Sequence, residues 1–87
     1  MTPAVPGELV GVIAQILYVD SVLVTPPARF VDLGRTSLAE VELLTAVEHH
    51  YGITLDFEGY LALETVGALA DTIAAAIRDT QAQTIAG

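Results

Sequence analysis

At 87 residues, with no cysteine and a formal net charge of −8, the chain is one small acidic domain that cannot hold a disulfide, a thiolate metal site or a catalytic thiol. Eleven acids stand against three arginines and no lysine, a balance that repels phosphate backbones and argues against nucleic acid, while favouring encounter with basic protein surfaces. The same charge also serves plain solubility. No run of about 18 apolar residues spans a membrane, and the start, "MTPAVPGELV", lacks the basic region and long apolar stretch of a signal peptide. A cytoplasmic monomer with no membrane or nucleic-acid partner is the expectation.

Three segments carry the helical period. In "GELVGVIAQILYV", Leu9, Ile13, Ile16 and Leu17 share a stripe, and Pro6 sits near the start, where its missing N–H costs little. The connection that follows, roughly Ser21 to Thr36, is long; "TPPARF" forbids helix in its middle, and Phe30 and Leu33 are apolar enough to pin it to the core. In "SLAEVELLTAVEHHY", Leu43, Val47 and Tyr51 form a second stripe with Leu44 beside it, and Gly52 stands where a left-handed C-cap is expected. In "ITLDFEGYLALE", Ile53 and Leu55 are extended anchors and Asp56 to Leu61 suits a short helix. In "TVGALADTIAAAIRD", Val66, Leu69, Ile73 and Ile77 form the last stripe, with Thr65 as N-cap and Gly67 in the tolerant first turn. The end, "TQAQTIAG", loses its periodicity and should fray. The fold class is all-α, with three amphipathic helices and one short one around a single core. One domain fills residues 1–87, its core about 7–79 and its frayed tail 80–87.

"FVDLGRTSLAEVELL" raises the functional question. Ser37-Leu38-Ala39-Glu40 fits an S-x-x-E capping box, which accounts for a serine there on its own. A second reading stays open. A helix entrance gathers unpaired N–H groups and the positive dipole end, so a serine there, after the permissive Gly34, suits a phosphodiester.

The stretch "FVDLGRTSLAEVELLTAVEHHYGITL" resembles the acyl carrier and peptidyl carrier protein family. Phe30, Asp32, Leu33, Gly34, Ser37, Leu38, Val41, Glu42, Leu43, Glu48, Tyr51 and Gly52 fall in register, and the likeness runs from about Leu9 to Ile77. The resemblance implies a four-helix bundle with a long first loop. It also implies that Ser37 receives 4′-phosphopantetheine from coenzyme A through a phosphopantetheinyl transferase. The arm's thiol would then carry a thioester, so a chain without cysteine gains thiol chemistry from its cofactor. The protein itself would catalyse nothing and hold no metal.

The second helix would be the docking surface, with Leu38, Val41, Glu42 and Glu48 matching the family and Glu40 as an added acid. Leu38 lies off the core stripe, so an exposed apolar knob is expected beside the serine. Arg35 is either a solvated loop residue or a contact to the phosphate or to an acidic partner. Asp56 and Glu58 either extend the acidic rim or simply open the short third helix. His49 and His50 suit a helix C-terminus. Thr36 departs from the family, which usually has an aspartate there that helps present the serine; the departure points to a permissive transferase.

Three functions are compatible with these residues. The first is a freestanding acyl carrier of polyketide or related specialised metabolism, served by an acyltransferase or ketosynthase. The second is an aminoacyl or peptidyl carrier loaded by an adenylating enzyme. The third is an acidic helical adaptor in which Ser37 is only a cap.

Overall fold

The structure is a computed structural model that describes residues 6–34 and 36–86, with 81–86 as helical backbone only. Among the described residues four helices follow in order: α1 (Gly7–Leu17), α2 (Ser37–Tyr51), the short α3 (Phe57–Leu61) and α4 (Val66–Ala86). Among the described residues there is no strand, only an isolated antiparallel bridge between Arg29 and Thr65. No helix among them is long and apolar enough to cross a membrane.

The periodic stripes are the core. Leu9, Ile13 and Leu17 of α1, Leu43, Leu44 and Val47 of α2, and Val66, Leu69 and Ile73 of α4 are buried in one cluster, with Ile16, Tyr51 and Ile77 packed partly against it. Burying a large aliphatic side chain contributes about 1.5–3 kcal/mol, so this cluster carries most of the folding free energy. Two of the largest buried side chains come from outside the long helices. Phe30 plugs the core from the first loop, and Tyr60 enters from α3, its hydroxyl donating to the Glu40 carbonyl at 2.8 Å. Tyr60 and Val24 are core residues that periodicity does not reveal, because neither lies on a long amphipathic stripe. The Tyr51 hydroxyl is buried with no hydrogen-bond partner among the described residues; burial first, and then the charge of Glu8, push its pKa above the ordinary phenol value.

Two helix ends and the first loop differ from expectation. α1 stops at Leu17, and Tyr18 closes it in the left-handed region at φ 57°, a conformation usually left to glycine. α4 continues as helical backbone to Ala86, across most of the segment expected to fray. The first loop is not bare coil: Ser21–Leu23 form a 3₁₀ turn capped by the Asp20 carboxylate, which accepts from the Val22 N–H at 3.0 Å. Gly52 does close α2 in the left-handed region, at φ 66°.

The first loop is tied to the entrance of α4 by three backbone bonds. Phe30 N–H donates to the Glu64 carbonyl at 2.9 Å, Val66 N–H to Ala28 at 3.0 Å and Gly67 N–H to Pro26 at 2.9 Å. Gly67 is more than tolerated here. A Cβ at that position would lie 2.9 Å from the Pro26 carbonyl oxygen, so only glycine allows the loop to approach this closely. The loop that leads to Ser37 is thereby fixed at its middle.

Candidate functional site

The chain reaches α2 through a turn, residues 31–34, that Leu33 anchors in the core and Gly34 completes at φ 80°. Thr36 is then extended, and its Oγ1 accepts from the Ala39 N–H at 3.2 Å. Thr36 is therefore the N-cap, and the capping box expected at Ser37 does not form. Two hydroxyl residues stand side by side, and the first takes the cap because the helix begins one residue earlier than the S-x-x-E pattern implies. Ser37 becomes the first helical residue, exposed, with its hydroxyl in no hydrogen bond among the described residues. The adaptor reading, which needed Ser37 as the cap, loses its premise.

Thr36 also accounts for itself. A threonine keeps the capping function that an aspartate would perform and omits only the charge. Of the first N–H groups of α2, that of Ala39 is taken by Thr36 Oγ1 and that of Glu40 by the Thr36 carbonyl. Those of Ser37 and Leu38 have no acceptor among the described residues. Two free donors and the positive dipole end thus surround an exposed hydroxyl.

Beside the serine lies a cleft of about 300 Å³. Ile16 of α1 and Tyr18 at its end line it together with Leu38 and Glu42 of α2 and with Gly34 and Thr36 from the approach to α2. Leu38 is 69% exposed, the apolar knob expected next to Ser37, and Val41 is half exposed. The arrangement fits a phosphodiester-linked arm: an accessible nucleophile, unpaired donors for the phosphate and room alongside.

The other residues singled out in the sequence divide by what they touch. Glu42 is exposed and its carboxylate accepts no hydrogen bond from a described residue. Glu48 is partly buried, and its carboxylate accepts from the Leu55 N–H at 2.8 Å, fastening the segment that follows α2. Asp56 caps α3, accepting from the Gly59 N–H at 2.8 Å, while Glu58 is exposed in its first turn. His50 Nε2 meets Glu8 Oε2 at 3.2 Å across α1 and α2, and His49 is exposed. Arg35 lies outside the described residues. The commitment of Glu48 is invisible locally, because it depends on a backbone donor beyond the Gly52 turn, whereas Asp56 takes the helix-opening role, one of the two alternatives its sequence position offers.

The geometry defines a class of protein: a small helical bundle that presents a serine at a helix entrance, with the first two N–H donors there unused among the described residues. The family described as "Phosphopantetheine attachment site" matches residues 7–73. Similar curated proteins include "Acyl carrier protein MbtL" of Mycolicibacterium paratuberculosis, 44% identical over 78 residues and covering 88% of each chain. "Acyl carrier protein" of Helicobacter pylori is 44% identical over 61 residues, covering 69% of this chain and 78% of that one. "Acyl carrier protein MbtL" of Mycobacterium tuberculosis is 39% identical over 76 residues, covering 86% of this chain and 90% of the relative. The chain belongs to the acyl carrier protein family, whose prosthetic group is a covalently attached 4′-phosphopantetheine. Carrier proteins as a family meet a phosphopantetheinyl transferase and biosynthetic enzymes.

Proposed function

We propose that Ser37 Oγ is the attachment point of the 4′-phosphopantetheine, and that the chain is a non-catalytic carrier of acyl groups in a specialised-metabolite pathway, polyketide or related. The observation that carries the reading is the division of labour at α2: Thr36 caps the helix, and the Ser37 hydroxyl is exposed and unbonded among the described residues. In the loading reaction the Ser37 oxygen forms a bond to phosphorus while a P–O bond of the coenzyme A pyrophosphate breaks. The serine proton passes to a base on the transferase, and adenosine bisphosphate leaves. When bound, the group supplies the thiol that a cysteine-free chain lacks. The rest falls to the protein. The Ser37 and Leu38 N–H groups meet the phosphate, and Leu38, Val41 and Glu42 offer an apolar and acidic face to partner enzymes.

The printed names of the relatives favour acyl cargo over aminoacyl cargo. Thr36 supports a permissive transferase, since no charge at that position pairs with a basic patch on the enzyme. Glu58 and Arg35 extend the partner surface, with an acyltransferase or ketosynthase as the enzymes served. Glu48 and Asp56 contribute to it through the loop and cap they hold rather than as free charges. The carrier works as a cytoplasmic monomer.

The test is intact mass after incubation with coenzyme A and a permissive transferase. Wild type should gain one phosphopantetheinyl group and Ser37→Ala none. Modification of the alanine variant, or of neither protein with several transferases, contradicts the assignment.

A further inference from the structure

The cleft beside Ser37 is asymmetric in a way that attachment alone does not explain. One of its lining residues is Tyr18, the residue that closes α1. Glycine or asparagine suits this left-handed position at no steric cost, whereas an aromatic residue strains it. The ring gains nothing from the fold in return, since Tyr18 is 92% exposed. Strain held at a position that contributes no packing points to a use outside the folded core.

Three further observations say what the use is. Both chain neighbours of Ser37, Thr36 and Leu38, line the cleft, so a group bonded to Ser37 begins beside it. The volume, about 300 Å³, sits at the lower end of small-molecule pockets. The lining is mixed in character: Ile16, Leu38 and Tyr18 bring apolar side chains, and the Glu42 carboxylate accepts no hydrogen bond from a described residue. A pantetheine arm has the matching parts, a gem-dimethyl group near the phosphate and two amide N–H donors farther along.

Resting on the reading of Ser37 as the attachment point, we propose that the arm folds back into this α1–α2 cleft, with Tyr18 and Leu38 covering its gem-dimethyl group and Glu42 accepting from an amide N–H. Tyr18 is a positioning residue for the arm, and the cleft is its resting place between encounters with partner enzymes.

The experiment is isotope-filtered nuclear Overhauser spectroscopy on labelled protein carrying an unlabelled arm, with loading verified by intact mass. The gem-dimethyl protons should contact the Tyr18 ring and the Leu38 methyls. In loaded Tyr18→Gly those Leu38 contacts should be lost; the variant folds, because glycine relieves the left-handed strain. In loaded Tyr18→Phe, which keeps the ring, they should persist. Loaded protein whose arm contacts only Val41 and Leu61, or nothing, overturns this inference and leaves the Ser37 reading intact. Protein that gains no mass overturns both.

Discussion

The entrances of α2 and α4 start alike and end differently. Each opens on a threonine whose Oγ1 accepts from the N–H three residues on, Thr36 from Ala39 at 3.2 Å and Thr65 from Ala68 at 3.1 Å. At α4 the next donors are used as well: Val66 and Gly67 give their N–H groups to Ala28 and Pro26. At α2 the corresponding donors, on Ser37 and Leu38, have no acceptor among the described residues, and both side chains face solvent. A helix entrance is an electropositive site wherever it occurs. The fold closes one with its own first loop, making an anchor, and leaves the other open among the described residues, where we propose the prosthetic group attaches. The anchor serves the open site, because the loop clamped to α4 is the loop that delivers Ser37.

The strongest test of the contrast is removal of the open hydroxyl. Ser37→Ala should abolish loading while changing stability by less than about 0.5 kcal/mol, since the cap belongs to Thr36. Urea unfolding beside the mass measurement separates the two effects. A clear loss of stability would mean that Ser37 caps the helix after all.

The closed entrance is tested through Gly67. Gly67→Ala places a Cβ against the Pro26 carbonyl oxygen, and such overpacking costs about 1–3 kcal/mol, offset by at most about 1 kcal/mol of helix propensity. Gly11 is the control: in α1, nothing lies within 4 Å of its Cβ position, so Gly11→Ala should stabilise by up to about 1 kcal/mol. Equal unfolding midpoints for the two variants would show that the loop clamp is slack.

Two glutamates of α2 separate structure from docking. Glu48→Ala removes the acceptor for Leu55 N–H and should destabilise by about 1.5 kcal/mol. Glu42→Lys should stay within about 0.5 kcal/mol in urea unfolding yet slow loading at low ionic strength, with the deficit shrinking as salt is added. If both variants unfold alike, the distinction between them is wrong.

How far this was legible in the sequence follows the range of the forces involved. The helices were legible because Leu9, Ile13, Leu43, Val47, Leu69 and Ile73 repeat at the helical period, and Phe30 and Leu33 announced themselves as loop anchors by hydrophobicity alone. The cap was misread because Thr36 and Ser37 are adjacent hydroxyls and Glu40 completes a box for the second of them. Local pattern does not fix a helix start to one residue. Glu48 looked like a docking acid because its partner, Leu55 N–H, lies beyond the Gly52 turn. Gly67 looked merely tolerated because Pro26 is distant in sequence and adjacent only in space. The proposed attachment serine came from the motif; the N–H groups without an acceptor among the described residues and the cleft near it came from the structure.

The caps provide the smallest effects. Thr36→Ala and Thr65→Ala should each cost about 1 kcal/mol. Thr36→Asp keeps the cap and adds a charge at the dipole's positive end, worth about 0.3–1 kcal/mol. The added acid should also raise the initial loading rate with a fatty-acid-type transferase more than with a permissive one. Equal rates across wild type, variant and both enzymes would remove position 36 as a selector of the transferase.

The central claim is that the entrance of α2 is kept open for the phosphate and that of α4 is not. Amide ¹H–¹⁵N correlation spectra of the same protein before and after loading measure both entrances at once. The account predicts that the Ser37 and Leu38 amides move downfield as they gain a phosphate acceptor, while Val66 and Gly67 stay in place. Loaded protein in which Ser37 and Leu38 do not move, or in which Val66 and Gly67 move as far, would contradict it.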